Sequence, residues 1–404
     1  MQIDLEQYID ALSDTLDLVG VDETQHGKRV AFMARECAKM LGKKEPELTF
    51  YYRAGLLHDC GVSSTRVHKN LINQLDWVGS TVHCDVGAER IRHFAPLRNY
   101  SDTIKYHHTP WKDLQKLKID DKIKTQANLI YLVDRVDALA AQQKTQNRLE
   151  TREAICATIS SMKKTYFKEK LVDAFLTIAK KEAFWITQEH NYLMSHLSEK
   201  ATNGNSVYLD SADMKSMAML FAHIVDAKSP YTAEHSVGVS RLAGYLAEKC
   251  ELPEDLINRI EIAGLLHDLG KLQMPDNLLE CETKLSDHDL AIMRHHSYVT
   301  FSILHRIEGL EDICEWAANH HEKLDGEGYP FKKNSDELDI ESRIIMVADI
   351  YQALAQHRPY RKAFSTETIM DYLSNLANKG QIDRDIIQII STEPVACHHA
   401  AIGK

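Results

Sequence analysis

The chain has 404 residues, which is enough for two or three domains of ordinary size. Hydrophobic residues make up 44% and charged residues 26% of it, as in folded globular proteins, and this excludes a disordered or collagenous chain. The formal net charge of −11 disfavours binding to long nucleic acids, and no apolar run reaches the ~18 residues that a membrane span needs.

The eight cysteines are scattered and form no CxxC pair, and the chain starts with an acidic segment rather than a basic and apolar leader. Both features predict reduced thiols in a cytoplasmic protein without a membrane segment. Histidine is the unusual residue, with 21 copies and several adjacent pairs.

The predicted elements are helices throughout, because apolar residues recur at helical spacing while glycine (17) and proline (9) are scarce. The sequence therefore predicts an all-α fold. Helices are expected over residues 211–228, from about 287 to 306, and from about 341 onward. Between them, residues 324–339 contain DGEGYP and predict a loop. The terminal pair His398-His399 is expected to lie in an unstructured tail.

An internal repeat divides the chain into two copies of one helical domain. GLLHDCG at residues 55–61 matches GLLHDLG at residues 264–270 in six of seven places. His26 precedes His58 by 32 residues, and His235 precedes His267 by 32 residues. A further histidine is followed 24 and 25 residues later by a histidine pair in both halves. The repeat predicts one domain over residues 1–200 and a second over residues 205–404.

The repeated histidines and aspartates are candidate metal ligands. Imidazole and carboxylate donors without thiolate suit divalent transition metals such as iron, manganese, cobalt, nickel or zinc. One ion rarely takes more than six ligands, so seven donors indicate two ions that share a carboxylate, most naturally Asp268. The C-terminal candidates are His235, His267, Asp268, His296, His320, His321 and Asp349.

Four segments of the C-terminal half resemble the HD-GYP subgroup of HD-domain phosphohydrolases. They are HDLGK, MRHHSYVTFSIL, HHEKLDGEGYP and RIIMVADIYQALAQHRPYRKAFS, which occur in this order between residues 267 and 365. The resemblance implies hydrolysis of a cyclic dinucleotide at a metal site formed by the same seven residues. It also implies that Asp268 and Lys271 are catalytic, and that Lys271, Arg358 and Arg361 contact the phosphates of the substrate.

Several positions depart from the family pattern. Tyr231 stands where members with three metals have a glutamate, so two divalent ions, such as iron or manganese, are expected. Ser229 and Gln352 replace aspartates that lie near the expected pocket, and Ser297 replaces a proline. These departures, with the HD-like N-terminal half, make the chain similar to the branch that hydrolyses 3′,3′-cGAMP. That substrate is predicted to be preferred over cyclic di-GMP, with a linear 5′-phosphorylated dinucleotide as the product.

The N-terminal copy keeps its own candidate ligands but lacks the rest of the site. Val62 replaces the lysine, and no DGxGYP segment follows the histidine pair. We therefore predict a regulatory or dimerising domain, and a second metal site with its own activity is the alternative. Its candidates are His26, His58, Asp59, His83, His107, His108 and Asp134.

Two other functions stay open at this point. One alternative to the phosphodiesterase is a receptor that binds a cyclic dinucleotide without hydrolysing it. The other is a phosphohydrolase of the wider HD class that acts on dNTPs or alarmones. The complete ligand set and Lys271 disfavour the receptor, and the DGEGYP and HRPYR segments disfavour the second. A homodimer is one option for the assembly.

Overall fold

The structure is a computed structural model that describes residues 3–18, 25–62, 64, 79, 81–143, 147–201, 208–228, 234–281, 283, 285–357 and 362–403. The chain forms two compact units, residues 8–207 and residues 208–404, and the first seven residues group with the second unit. They do so because strand β1 (Ile3–Asp4) pairs antiparallel with strand β2 (Tyr208–Leu209). The sequence had predicted these residues in the N-terminal domain.

The N-terminal unit is helical. Its helices are α1 (Leu5–Asp17), α2 (His26–Met40), α3 (Glu47–Leu57), α4 (Val82–Arg92), α5 (Ser101–Lys105), α6 (Trp111–Leu114), α7 (Asp121–Ala141), α8 (Arg148–Ser161), α9 (Glu169–Ile178), α10 (Glu182–Ile186) and α11 (His190–Ala201), with a 3₁₀ helix at Ala95–Tyr100.

The C-terminal unit repeats this all-α architecture, and three of its helices match the predicted segments to within a few residues. Its helices are α12 (Ser211–Asp226), α13 (His235–Lys249), α14 (Glu254–Leu266), α15 (Asp276–Leu279), α16 (Asp287–Leu304), α17 (Glu311–Ala318), α18 (Ile340–Ala355), α19 (Thr366–Asn378), α20 (Arg384–Thr392) and α21 (Pro394–Ile402), with 3₁₀ helices at Leu269–Gln273 and Asn319–His321.

One helix runs through the core of each unit. Residues 129–133 of α7 and residues 344–348 of α18 are at most 1% exposed, so over these stretches both helices are buried on every face. An aspartate side chain caps each one, Asp120 in α7 and Asp339 in α18. Each central helix carries the last candidate ligand of its domain, Asp134 or Asp349.

The glycines that end the repeated heptapeptide bring two elements of each site together. A Cβ at Gly270 would lie 2.0 Å from the carbonyl oxygen of His296, and one at Gly61 would lie 1.8 Å from that of His83. Only glycine permits this approach, which holds the His-Asp pair against the helix that supplies the next histidine.

The C-terminal end of the chain corrects one prediction. His398 and His399 lie in helix α21 rather than in an unstructured tail, because Pro394 starts that helix and Gly403 ends it with φ 69°. Among the described residues, none of the helices combines the length and the apolar composition required to cross a membrane.

Candidate metal centre

Five segments of the C-terminal unit bring the predicted ligands to one place. His235 is the first residue of α13, and His267 and Asp268 directly follow α14. His296 lies in α16, the pair His320-His321 ends a 3₁₀ helix, and Asp349 lies in α18. All are buried except His321, which is half-buried.

The two oxygens of Asp268 face two different groups of histidines. Oδ2 lies 3.4 Å from Nε2 of His235 and 3.3 Å from Nε2 of His267. Oδ1 lies 3.6 Å from Nε2 of His296 and 3.8 Å from Nε2 of His320. Donors that each lie ~2.1 Å from one ion are about 3.0–3.4 Å apart, so these spacings are close to edges of a coordination shell. The Asp268 carboxylate therefore lies between two groups of histidines.

Asp349 belongs to the first group. Its Oδ1 lies 3.3 Å from Nε2 of His235 and 3.8 Å from Nε2 of His267. His321 belongs to the second group, since its ring centroid is 5.0 Å from that of His296 and 4.1 Å from that of His320. The side chains of all seven predicted ligands therefore form one cluster.

Backbone carbonyls fix the orientation of three histidine rings. Nδ1 of His267 donates to the Gly264 carbonyl at 2.8 Å, Nδ1 of His296 to that of Met293 at 2.5 Å, and Nδ1 of His320 to that of Ala317 at 2.6 Å. A carbonyl only accepts, so Nδ1 carries the proton and the lone pair of Nε2 points into the cluster. Hydrogen bonds from Nδ1 to a backbone carbonyl usually orient metal-binding histidines in this way.

Nε2 of His267 and Oδ1 of Asp268 are buried acceptors that lack a hydrogen-bond partner. Nε2 of His296 and Nε2 of His320 lie 3.1 Å apart although the backbone bonds make both acceptors. An unsatisfied buried acceptor costs ~1–3 kcal/mol, and bound cations would satisfy all of these atoms. The residues present therefore fit divalent metal ions.

The protonation states also suit cations. Burial lowers the pKa of His296 to about 3 and that of His321 to about 4, so both rings are neutral. Burial raises the pKa of Asp268, but electrostatic interactions with His267 and Lys271 outweigh it and hold this pKa well below its usual range. Burial opposes the charged form of His235, yet hydrogen bonding to Asp268 and Asp349 raises its pKa to about 9.

The predicted substrate-contacting residues are only partly described. Nζ of Lys271 lies 2.5 Å from Oδ2 of Asp268, so this lysine pairs with the Asp268 carboxylate. Arg358 and Arg361 lie outside the described residues, as do Ser229 and Tyr231. Their predicted roles stay predictions.

Sequence models of the HD domain match residues 24–139 and residues 219–386. A Vibrio cholerae protein named 3′3′-cGAMP-specific phosphodiesterase 1 is 35% identical over 394 residues, which cover 96% of this chain and 91% of that protein. The chain belongs to the HD-GYP family of HD-domain phosphodiesterases. This confirms the predicted family.

Two further comparisons concern a second relative and a solved structure. A Pseudomonas aeruginosa protein, cyclic di-GMP phosphodiesterase PA4108, is 37% identical over 139 residues, a third of either chain. The crystal structure of a cyclic GMP-AMP specific phosphodiesterase from V. cholerae has a TM-score of 0.65 and covers 100% of this chain and 98% of its own, at 21% identity. This likeness confirms the predicted tandem all-α fold.

The loop that gives the HD-GYP family its name packs against the cluster. The Tyr329 ring lies 4.9 Å from the His321 ring, and its backbone N–H donates to the His321 carbonyl at 3.1 Å. The Glu322 carboxylate accepts from the backbone N–H groups of Phe331 (2.6 Å) and Lys332 (3.1 Å). The loop is thus anchored next to the ligand that precedes it.

Sequence reasoning missed the role of Gln352. Its side chain is 2% exposed, and its Oε1 accepts from Nδ1 of His235 at 2.5 Å. Gln352 therefore positions a predicted ligand, whereas the sequence analysis had placed it near the substrate pocket. In the N-terminal unit Asp137 has this role, 2.8 Å from Nδ1 of His26. Both residues follow the last aspartate ligand by three positions, and this repeated spacing was the available signal.

An aspartate before each site was also missed. Asp226 accepts from the Ser236 hydroxyl at 2.8 Å, and Asp17 accepts from the backbone N–H of Gly27 at 3.2 Å. Burial raises the pKa of both carboxyls to about 6. Each precedes the first histidine ligand of its domain by nine residues, so the repeat contained this signal too.

Proposed function

We propose that the C-terminal domain hydrolyses a cyclic dinucleotide to a linear 5′-phosphorylated dinucleotide, and that 3′,3′-cGAMP is preferred over cyclic di-GMP. The observation that carries the proposal is the Asp268 carboxylate, whose two oxygens face two separate histidine groups. A phosphodiester is a poor electrophile because its negative charge repels nucleophiles, and paired cations are a common solution.

The cofactor in this proposal is a pair of divalent transition-metal ions such as iron or manganese. When bound, the ions would neutralise phosphate oxygens and lower the pKa of a water molecule. The first group of ligands would be His235, His267, Asp349 and Oδ2 of Asp268, and the second would be His296, His320, His321 and Oδ1 of Asp268.

Lys271 supplies a positive charge next to the bridge. Its side chain is 21% exposed, so its ammonium group can be reached by a ligand that enters from solvent. We propose that Lys271 contacts a non-bridging phosphate oxygen and stabilises the charge that accumulates there in the transition state. Arg358 and Arg361 are proposed to bind substrate phosphates.

The substrate preference rests on the relatives. The relative that the chain matches along 91% of its length is named as specific for 3′3′-cGAMP, whereas PA4108, named for cyclic di-GMP, is matched along 33%. The two substrates share their phosphates, so discrimination must come from groups that meet adenine or guanine. A mismatch that leaves a buried polar group unpaired costs ~1–3 kcal/mol, or about ten- to over a hundredfold. Gln352 does not contribute to this argument because it faces His235.

We also propose a cytoplasmic location. All eight cysteines lie in the described part of the chain, and none of them forms a disulfide. Thiols of this kind persist in a reducing compartment.

The test is the ratio of kcat/KM for 3′,3′-cGAMP and cyclic di-GMP, measured on the full chain loaded with Mn²⁺ or Fe²⁺. We expect a preference of about tenfold or more for 3′,3′-cGAMP. Parity within about twofold would contradict the preference alone. Binding of both compounds without turnover of either would contradict the enzymatic proposal and favour a receptor.

A further inference from the structure

Lys228 is a buried lysine that lies two residues after helix α12. It is 3% exposed, and its ammonium group donates to the backbone carbonyl of Leu272. Oδ1 of Asp276 lies 3.9 Å from its Nζ. Burial lowers the pKa of Lys228 to about 8 and the Asp276 charge acts in the opposite direction, so the ammonium form predominates at pH 7. Because burial of a charge costs free energy, such a lysine needs a gain in stability or in function that offsets the cost.

The carbonyl that Lys228 holds belongs to the 3₁₀ helix that carries Lys271. This helix, Leu269–Gln273, directly follows the predicted ligand Asp268, and Leu272 is the residue after Lys271. Carbonyls in the last turn of a helix generally have no partner within it, and they form its negative end. The Lys228 ammonium group supplies both a hydrogen-bond donor and a positive charge at this end.

A second contact fixes the other end of the same turn. The backbone N–H of Gly270 donates to the Thr300 hydroxyl oxygen at 2.9 Å, and that hydroxyl donates to the His267 carbonyl at 3.0 Å. Thr300 lies in α16 and is fully buried. The turn is therefore anchored at its start by Thr300 and at its end by Lys228. Together the two contacts fix the backbone from which the Lys271 side chain extends.

The internal repeat links Lys228 with Lys271. Lys228 stands seven residues before the first repeated histidine of its domain, and the N-terminal copy has Val19 at this position. Lys271 stands four residues after the second repeated histidine, where the N-terminal copy has Val62. A lysine that served the helical fold alone would be expected in both copies. Both lysines instead occur only in the copy that has the GYP loop.

We propose that Lys228 is a positioning residue, which holds the 3₁₀ helix so that Lys271 meets the reacting phosphate. This inference rests on the proposed function, because it assumes that Lys271 stabilises the transition state. Lys228 does not contact the substrate in this account, since its ammonium group is buried and directed at the Leu272 carbonyl. Its effect on turnover is therefore exerted through Lys271.

A double-mutant cycle tests this dependence. The rate constant kcat for 3′,3′-cGAMP and the metal content are measured on the Mn²⁺-loaded full chain, for Lys228→Met, Lys271→Ala and the double variant. We expect Lys228→Met to lower kcat ~10- to 100-fold without loss of metal, because Lys271 is displaced. In the Lys271→Ala background the same substitution should lower kcat by less than about twofold, because the group that Lys228 positions is already absent.

Hydrogen exchange measured by mass spectrometry gives a readout that needs no turnover. In Lys228→Met we expect the backbone amides of residues 269–273 to exchange about tenfold faster or more, the factor for loss of a hydrogen bond from a charged donor. Lys215→Met is the matched control, because Lys215 lies in α12 and pairs with Glu261 rather than with this turn. It should keep both the exchange pattern and kcat of the unaltered chain.

Two results would overturn the proposal. One is a Lys228→Met protein with unchanged exchange at residues 269–273, and the other is an equal loss of kcat with and without Lys271. If Lys228→Met does not fold, Lys228→Gln replaces it, since glutamine is polar but shorter than lysine. A chain that hydrolyses neither 3′,3′-cGAMP nor cyclic di-GMP would contradict the proposed function, whereas the exchange measurement would still decide whether Lys228 holds the turn.

Discussion

Lys271 and the metals would compete for one carboxylate oxygen. The ammonium group lies 2.5 Å from Oδ2 of Asp268, the oxygen that also faces His235 and His267. A bound ion at that oxygen would release the lysine toward the substrate. In our proposal Lys271 therefore neutralises the Asp268 carboxylate before a metal binds and serves catalysis once a metal is bound.

Replacing Lys271 should separate metal binding from turnover. In Lys271→Ala, the loss of a cation directed at the transition state should lower kcat by ~10²–10³. Metal content should stay the same or rise, because a competitor for Asp268 is gone. Parallel measurements of metal content and rate check this, and equal damage to both would make Lys271 a structural residue.

Gln352 positions His235 through an amide oxygen, so its removal should weaken the metal site. Gln352→Leu keeps the side-chain volume but removes the oxygen that accepts from His235. We expect metal affinity to fall ~10- to 100-fold, as when other residues that hydrogen-bond to a metal ligand are replaced. Gln352→Asp is the matched control, because it restores an acceptor of the kind that Asp137 provides in the other domain. A Leu variant with unchanged affinity would show that Gln352 does not orient the ligand.

Metal binding should depend on pH through His235. Its pKa is raised to about 9 by Asp268 and Asp349, so a metal that binds there must displace a proton, while His296 and His321 are already neutral at pH 7. Affinity should therefore rise about tenfold per pH unit and level off above about pH 9. Competition with a chelator at several pH values measures the slope, and a flat profile would contradict the protonated state of His235.

At the scale of elements, the repeated heptapeptide joins each His-Asp pair to the next helix. The spacing of the histidines around this heptapeptide could be predicted from the sequence, because the same numbers of residues separate them in both halves of the chain. The closeness of Gly270 to α16 could not be predicted from the sequence, since it depends on which helices pack together. For the same reason the hydrogen bond from His235 to Gln352 could not be predicted, because the two residues lie 117 positions apart in the chain.

Gly270→Ala should test this packing. The added Cβ would lie 2.0 Å from the His296 carbonyl oxygen and 2.9 Å from the Thr300 amide nitrogen, so α16 would have to move. We expect the free energy of unfolding to fall by at least ~1–3 kcal/mol and metal content to fall with it. Thermal unfolding of this variant and of Gly61→Ala, its counterpart in the other domain, measures the loss. Native stability of both variants would show that the helices can shift freely.

At the scale of the whole molecule, the sequence predicted the repeat, the all-α class and the family, and the comparisons bear these out. The grouping of residues 1–7 with the second unit was not predictable, because it depends on two-residue strands that pair across some 200 residues of chain. The tail was misjudged because its two adjacent histidines have little helical pattern, whereas Pro394 and Gly403 delimit a helix in the structure.

The central claim is that Asp268 holds two metal ions at which a cyclic dinucleotide is hydrolysed. The most direct test measures metal content and 3′,3′-cGAMP hydrolysis on the same preparation of Asp268→Ala. Our account predicts that the C-terminal pair of ions is lost and that turnover disappears, because His267 can reach one ion while the carboxylate faces both groups. An Asp268→Ala protein that keeps its full metal content and near-normal turnover would contradict the account.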